Sequence, residues 1–512
     1  MRALAWMWVA LLPALSAERK PGPSLWVDRD DRPIPKPREQ RVSELNDILY
    51  NTWLRHLSPE HKVRCARDSG ALNVNAWDEA PDSSWFTNRI GRKPLSFDQI
   101  VEGIEGSPPA PPPWRVLRVI DEGYTPKLHV ADSAGRTYVL KFDPGAPERN
   151  SGAERVSTLL FHAAGYNVPH NSLVRFGASD LRLDERASYR DAVGRRRAMT
   201  QADLDATLAR LKSLAGGKYR GVASQFISGA DLGKFSYCGT RPDDANDIIP
   251  HEYRRELRGL RVIASWANHA DTGDKNTFDA YTGEDGKGYV RHYLLDFGST
   301  LGSGDYTNGP FRVGHEYLFD AGAMAHTLVT LGIWRRPWET RGVIRYPEIG
   351  YYEADLFAPA EWRPNYPNLA FERLDDGDGY WGAKIVTAFD DTLVRRLAEA
   401  AEYSRQEATR YLAETMRRRR DAVGHYWLDR VTPLEDFRLE GGMLSFRDLA
   451  VERGFAEAPR QYRLDGKREF VGTRVDVAGR LQVSIQSRRR DGRWARPVAV
   501  FLDSAGVRGW RR

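Results

Sequence analysis

The chain has 512 residues, 41% of them hydrophobic and 29% charged, with 15 tryptophans and a formal net charge of +6. That length suggests two or three domains, and that apolar content supplies a sizeable core, which excludes a disordered chain. Cys65 and Cys238 are the two cysteines and show no zinc-type Cys/His spacing; no nucleic-acid module is evident, so the arginine runs 195–197, 417–420 and 488–490 are expected to be solvated faces.

Residues 1–17, MRALAWMWVALLPALSA, read as a secretory signal peptide. Arg2 is the charged start, Ala3–Leu12 the apolar centre and Ala14–Ala17 the small-residue cleavage region. The run is short for a membrane span, and an uncleaved anchor is the alternative. The mature protein is therefore expected to be exported, periplasmic or extracellular, where Cys65 and Cys238 could pair.

An N-terminal extension follows over 18–113. It opens as a Pro-rich arm to about residue 40 and continues as a helix near Val42–Arg55. Residues 73–90, with two Trp and one Phe among turn formers, read as an irregular segment packed on a domain. The stretch Gly106–Pro113 marks its end. The next unit has strands LHV and RTYVLKF joined by the turn ADSAG. Tyr138, Leu140 and Phe142 share one face of the second strand, and Val139 and Lys141 the other. A helix capped by Ser151 carries Glu154 in its first turn and an apolar stripe through Val156, Leu159, Leu160 and Ala163. Glu148 is a rival carboxylate nearer the loop. Further on come a strand NSLVRF, a polar helical insert, and a strand GVASQF that runs into a connector.

The helix HEYRRELRGLRVIASWANH places Leu257, Leu260, Ile263 and Ala267 on one face, with Arg254, Arg255, Arg258 and Arg261 expected to be solvated. It delivers the chain to Asp271, which is followed five residues later by Asn276. TFDAY and YVRHYLL then form a hairpin around GEDGKG that ends in Asp296-Phe297-Gly298. Helices are expected near Ala321–Leu331, Asp391–Ala401 and Arg405–Leu428. From about 431 the chain alternates apolar and polar residues between tight turns, which reads as a small all-β, sandwich-like module. Trp494 and Trp510 are the only hint of carbohydrate binding there.

The pair Asp271/Asn276 followed by Asp296-Phe297-Gly298 resembles the protein-kinase pattern of D-x-x-x-x-N and DFG. His269-Ala270-Asp271 replaces His-Arg-Asp, and Gly273 stands where such kinases have a Lys. Those departures, with Gly123-Tyr124-Thr125-Pro126-Lys127 in place of G-x-G-x-x-G, resemble the atypical, HipA-type kinases. The resemblance implies an α+β, two-lobed kinase-like fold with an N-lobe over 114–230, a C-lobe over 231–430 and the β module over 431–512. It implies Asp271 as catalytic base, Lys141 on the α/β-phosphates oriented by Glu154, and Asn276 and Asp296 on the metal. Gly123 and Lys127 would cover the nucleotide phosphates, and Gln225 and Phe226, to within about two residues, would meet adenine through the backbone.

The implied cofactors are ATP and Mg²⁺ or Mn²⁺, and the implied partner is a protein, sugar or lipid hydroxyl, with no nucleic acid expected. Contact with an envelope surface is a further expectation from the export signal. Three alternatives stay open: a kinase-fold nucleotidyltransferase that moves AMP, a catalytically silent pseudokinase scaffold of the envelope, and a metal-dependent hydrolase on Asp271, Asp274, Asp296 and His269.

Overall fold

The computed structural model describes residues 29–40, 49–54, 70–121, 126–143, 145–191, 193–304 and 310–512. The signal segment 1–17, most of the helix expected at Val42–Arg55, Cys65 and with it the question of pairing to Cys238, and Gly123 lie outside the described residues.

Seven strands form the first sheet: β1 (Trp114–Ile120), β2 (Lys127–Ala131), β3 (Thr137–Phe142), β4 (Asn171–Phe176), β5 (Leu181–Arg190), β6 (Arg196–Ala198) and β7 (Tyr219–Gln225). Their order is β4-β7-β3-β2-β1-β5-β6. Pairing is antiparallel except between β1 and β5, which run parallel. The turn between β2 and β3 is held by Asp132 Oδ1, which accepts from the N–H groups of Ala134 (3.0 Å) and Arg136 (2.9 Å). Along β3 burial alternates strictly, with Tyr138, Leu140 and Phe142 inside. That face joins a core with Val116, Leu128 and Val130. Helices α1 (Arg149–Ala164) and α2 (Gln201–Ala209) follow β3 and β6. Leu204 and Leu208 of α2 enter the β3 core, whereas α1 packs on β3, β4 and β7 with apolar residues in a second core.

That second, larger core is built on α3 (Arg255–Ala267). A three-stranded sheet of β8 (Ala230–Asp231), β9 (Thr277–Thr282) and β10 (Tyr289–Leu294) lies beyond it, in the order β10-β9-β8. Four longer helices follow, α4 (Ala321–Val329), α5 (Asp376–Val386), α6 (Asp391–Glu399) and α7 (Gln406–Arg430), with two short ones, Pro337–Arg341 and Leu369–Glu372, between α4 and α5. Helix α5 was not legible, because Gly377, Gly379 and Gly382 depress helix propensity. Those glycines serve close packing. A Cβ on Gly382 would stand 2.8 Å from Gly259 O of α3, and one on Gly379 would strike the Trp427 ring of α7.

Strands β11 (Leu434–Glu440), β12 (Met443–Asp448), β13 (Gln461–Leu464), β14 (Arg468–Val471), β15 (Arg474–Asp476), β16 (Gln482–Ser487), β17 (Val498–Asp503) and β18 (Gly506–Arg511) complete the chain. They form sheets β11-β12-β15 and β14-β13-β16-β17-β18 around a third core. One helical turn, Leu449–Glu452, interrupts them. Trp510 is buried against Phe437 (5.2 Å) and Trp77 (5.1 Å), so it offers no open face to a sugar.

The arginines of α3 correct the sequence reading. Arg254, Arg255 and Arg258 are buried, not solvated. Arg254 lies 4.8 Å from the Trp85 ring centroid. Arg255 pairs with Asp78 (2.8 Å) and Asp378 (3.2 Å), and Arg258 with Asp378 (3.1 Å). Arg261, half-buried, donates to Ala360 O (2.9 Å). The carboxylates come from positions 78 and 378, far away in sequence, so helical periodicity could not show them. In the 417–420 run Arg419 and Arg420 are likewise buried, and Arg419 donates to the carbonyls of Ser265 and Trp266 at the end of α3.

Asp78 is also bound by Arg512 (2.9 Å), which pairs with Glu435 (2.8 Å) and lies 3.9 Å from the Tyr380 ring. Burial pushes the Asp78 carboxyl up, but the two guanidinium groups outweigh it and hold it below its usual range. This cluster joins the 70–90 segment, α3, α5 and the C-terminal strands. Asp78→Ala is expected to cost about 3–5 kcal/mol by stranding two buried guanidinium groups, measured by chemical denaturation. Burial also holds His129 and His315 down to about 4, His162 to about 3 and His269 to about 4. Between about pH 6 and pH 4 the unfolded chain takes up protons that these four refuse when folded, so stability should fall on acidification. His170, held down to about 4 by burial, adds to this, while Asp378, pushed up to about 6 by burial, and Asp143, Glu154, Asp244 and His251, which are also raised, oppose it. Each histidine contributes at most about 1.4 kcal/mol per pH unit. Urea midpoints across that window check the sign.

Candidate active site

Lys141 lies on the face of β3 away from the sheet core, beside α1. The start of α1 differs from the sequence reading. Arg149 is its first residue, with Glu148 at the cap position and no side-chain cap bond. Asp143 does the capping from outside, accepting from Ser151 N (2.8 Å), Glu148 N (2.9 Å) and Ser151 Oγ (2.9 Å). Ser151 is thus already inside the helix and Glu154 lies in its second turn. From there Glu154 Oε1 meets Lys141 Nζ at 3.0 Å. Asn171 Nδ2 donates to the same oxygen (2.9 Å) and to Thr158 Oγ1 (2.8 Å). Glu148 points elsewhere: its Oε2 accepts from Ser404 N (2.8 Å) and its Oε1 stands 3.9 Å from Arg220.

The β9–β10 hairpin delivers the second part of the site. Thr277 pairs with Leu294, and Leu295 N donates to Asn276 O (2.9 Å). Asn276 and Asp296 therefore leave adjacent strand ends side by side. Asp296 takes a left-handed backbone (φ 59°), which turns the chain sharply. Phe297 is fully buried and stacks on Phe161 of α1 (4.9 Å, 13°), which pins this turn to the helix that carries Glu154. Asp296 Oδ1 lies 3.2 Å from Lys141 Nζ and Asp296 Oδ2 3.6 Å from Lys127 Nζ. Lys127 opens β2, directly after the segment that contains Gly123.

One ammonium is thus shared by two carboxylates. Lys141 holds the Asp296 carboxyl far below its usual range, with Lys127 assisting and burial opposing. Burial, together with the charge of Asp296, pushes Glu154 up against the pull of Lys141. Burial disfavours the Lys141 ammonium, but the two carboxylates outweigh it and raise its pKa.

Asp271 sits before the hairpin. Asn276 Nδ2 donates to Asp271 O (2.7 Å), which turns the amide NH₂ toward the loop. Asn276 Oδ1 accepts no hydrogen bond among the described residues. Asp271 Oδ1 is buried without a well-directed hydrogen bond, and Lys275 Nζ stands 3.4 Å from it. His269 packs 5.5 Å from the rings of both Phe161 and Phe297. That aromatic wall removes it from the metal set of the hydrolase alternative. Asp274 Oδ1 accepts from Tyr237 N (3.1 Å) and braces the loop.

Among the described residues no group of three or more His, Cys, Asp or Glu could hold a metal. The donors present are oxygens, one carboxylate from Asp296 and one amide oxygen from Asn276. That pair fits Mg²⁺, which takes one or two protein oxygens and completes its octahedron with phosphates and water. At the connector, Gln225 N donates to His170 O (2.9 Å) and Phe226 N to Thr137 O (3.1 Å). Gln225 Oε1 accepts from Ser107 N (2.8 Å), and Phe226 is exposed beside His129. Both backbone N–H groups are used inside the fold, so any donor to a base would lie just beyond them.

Sequence reasoning missed Asn171, Asn150 and Lys275. Asn150 Nδ2 donates to Gly298 O (2.7 Å), a second tie between α1 and the turn after Asp296. Lys275 carried a signal, since it stands one residue before Asn276. Asn171 and Asn150 carried none.

No family model matches the chain, and no curated protein matches it. Among solved structures, a Helicobacter pylori proinflammatory kinase, CtkA, aligns with 59% of this chain and 92% of its own at 11% identity and a TM-score of 0.31. The Golgi casein kinase with Mn/ADP bound aligns with 65% of this chain and 75% of its own, also at 11% identity and TM-score 0.31. At that similarity neither carries an argument about this chain, and the site is read from its own residues.

Asn171→Ala removes the hydrogen bond to Glu154 from the β4 side and the one to Thr158. The expected cost is about 1–3 kcal/mol, seen as a lower denaturant midpoint at unchanged m-value.

Proposed function

We propose that the chain is an ATP-dependent, kinase-like phosphotransferase that moves the γ-phosphoryl group to a hydroxyl acceptor. The observation that carries this reading is Lys141 Nζ held between Glu154 Oε1 (3.0 Å) and Asp296 Oδ1 (3.2 Å) at the root of the hairpin that also presents Asn276. A structural ion pair needs one carboxylate. A second carboxylate on a separate loop, beside an amide with an unused oxygen, suits a site that parts with Lys141 and takes up a metal.

In this reading residues 114–230 and 231–430 are the two lobes, residues 431–512 are an accessory β module, and residues 1–17 direct export. The motif style is that of HipA-type kinases. Glu154 keeps Lys141 aimed at the α- and β-phosphates. Asp296 and Asn276 Oδ1 would hold Mg²⁺, which would supply positive charge to offset that of the phosphates. Lys127 adds a second ammonium at the phosphates. The Asp271 carboxylate, whose side chain stays 22% exposed while Oδ1 is buried, accepts the acceptor's hydroxyl proton as the hydroxyl oxygen bonds to the γ-phosphorus. The bond from that phosphorus to the β–γ bridging oxygen breaks, and ADP leaves with its electron pair. Lys275, beside Asp271, draws the transferring phosphoryl toward the base.

Intact mass after incubation with Mg-ATP or Mn-ATP tests the reading. A phosphoryl increment is expected. It should disappear in Asp296→Ala and fall by about 10²–10⁴-fold in rate in Asp271→Asn, with nucleotide binding by calorimetry retained in the latter. An adenylyl increment would replace this reading with nucleotidyl transfer. Absence of ATP binding would replace it with a scaffold.

A further inference from the structure

Residues 319–345 form a hairpin that is inside out. Helix α4 reads AGAMAHTLV and has no buried residue. Phe319, Met324, Leu328, Val329, Leu331 and Ile333 are exposed, from 52% at Phe319 to 85% at Leu331. Met324 and Leu328 stand one turn apart on one side of α4, and Leu331 and Ile333 follow in the turn beyond its end. Contiguous exposed apolar surface of this kind marks an interaction site.

The polar groups sit on the inner side and hold the shape. Arg336 Nη2 donates to Thr327 Oγ1 (3.2 Å), and its guanidinium lies 4.9 Å from the Trp334 ring and 5.7 Å from the Trp338 ring. Trp338 Nε1 donates to Glu316 Oε1 (3.3 Å), and His326 packs 4.3 Å from Trp334. A Cβ on Gly342 would strike the Phe311 ring, so the returning chain lies directly on its platform. The apolar side chains are therefore propped outward by the same contacts that stitch the hairpin together.

Charge selects the occupant. The stretch carries four arginines against two acids. Both acids are engaged: Asp320 accepts from Ala323 N (2.9 Å) at the start of α4, and Glu339 pairs with Arg336 (3.0 Å). Arg335 and Arg341 are exposed and make no ion pair among the described residues. Protruding aliphatic chains, half-buried tryptophans behind them and uncompensated cations at the base match the layers of an anionic bilayer surface, from acyl chains through the interface to phosphates.

We propose that the 319–345 hairpin seats the protein on an anionic lipid surface, with the Met324–Ile333 side chains entering the acyl boundary and Arg335 and Arg341 meeting lipid phosphates. This does not depend on the phosphotransfer reading, and it is measured without nucleotide.

The test is co-flotation of the full chain with phosphatidylcholine vesicles, with and without phosphatidylglycerol, at low ionic strength. Flotation with the anionic vesicles is expected, accompanied by a blue shift of tryptophan emission. Leu328→Asp with Ile333→Asp should lower partitioning by at least about tenfold. Arg335→Ala with Arg341→Ala should lower it only on the anionic vesicles, by a margin that high salt abolishes in the parent. All four side chains are exposed, and unchanged melting temperatures would confirm that the fold is kept. The proposal is overturned if the parent does not float, if the Asp pair floats as well as the parent, or if phosphatidylglycerol makes no difference. It is equally overturned if light scattering shows a dimer that the Asp pair dissolves while neither protein floats, since a second copy would then cover the hairpin.

Discussion

A single ammonium group organises the candidate site. Lys141 Nζ touches Glu154 from α1 and Asp296 from the loop after β10, so one side chain ties the first sheet, its helix and the hairpin. Burial pushes Glu154 up, while Lys141 and Lys127 together keep Asp296, whose side chain is 40% exposed, ionised. The arrangement is poised, because an incoming cation at Asp296 would release Lys141 toward an anion without leaving a charge stranded. Phe297, stacked on Phe161 of the same helix, supplies the apolar half of that tie.

A second constraint lies below the site. Helix α3 carries a row of arginines into the interior, and the chain meets each with a carboxylate, an aromatic ring or a backbone carbonyl. Asp78, held between Arg255 and Arg512, brings the segment before the first sheet against the C-terminal strands. Buried ion pairs of this kind add little net stability over apolar packing, but breaking one is costly. They therefore act as register devices for the segments they join, including α3, from whose end the loop to Asp271 and Asn276 leaves at Asn268.

Much of the local structure was legible. The alternation in β3, the β9–β10 hairpin and the stripes of α3, α6 and α7 follow from short-range periodicity, which each segment carries within itself. Strands β1, β5 and β6 and helix α5 were not read. Strand β5 is largely polar, because a surface sheet position needs no apolar alternation, and α5 is rich in glycine because its neighbours approach closely. The cap of α1 was placed at Ser151 because Ser is a common cap, whereas Asp143 performs that task from outside the helix.

The sequence by itself determined the residue types and their order: a strand lysine, a helix glutamate, Asp271 and Asn276 five apart, and a hairpin ending in Asp296-Phe297-Gly298. Hairpin pairing is local, so the proximity of Asn276 and Asp296 was already implied. The tertiary structure alone decided that Lys141, Glu154, Asp296 and Lys127 converge, that Asn171 and Lys275 stand among them, and that the arginines of α3 are buried. Those facts depend on contacts between separate elements, from 13 residues apart for Lys141 and Glu154 to 155 for Lys141 and Asp296, or on one side of a helix finding charge instead of water, and no periodicity within a single element encodes either.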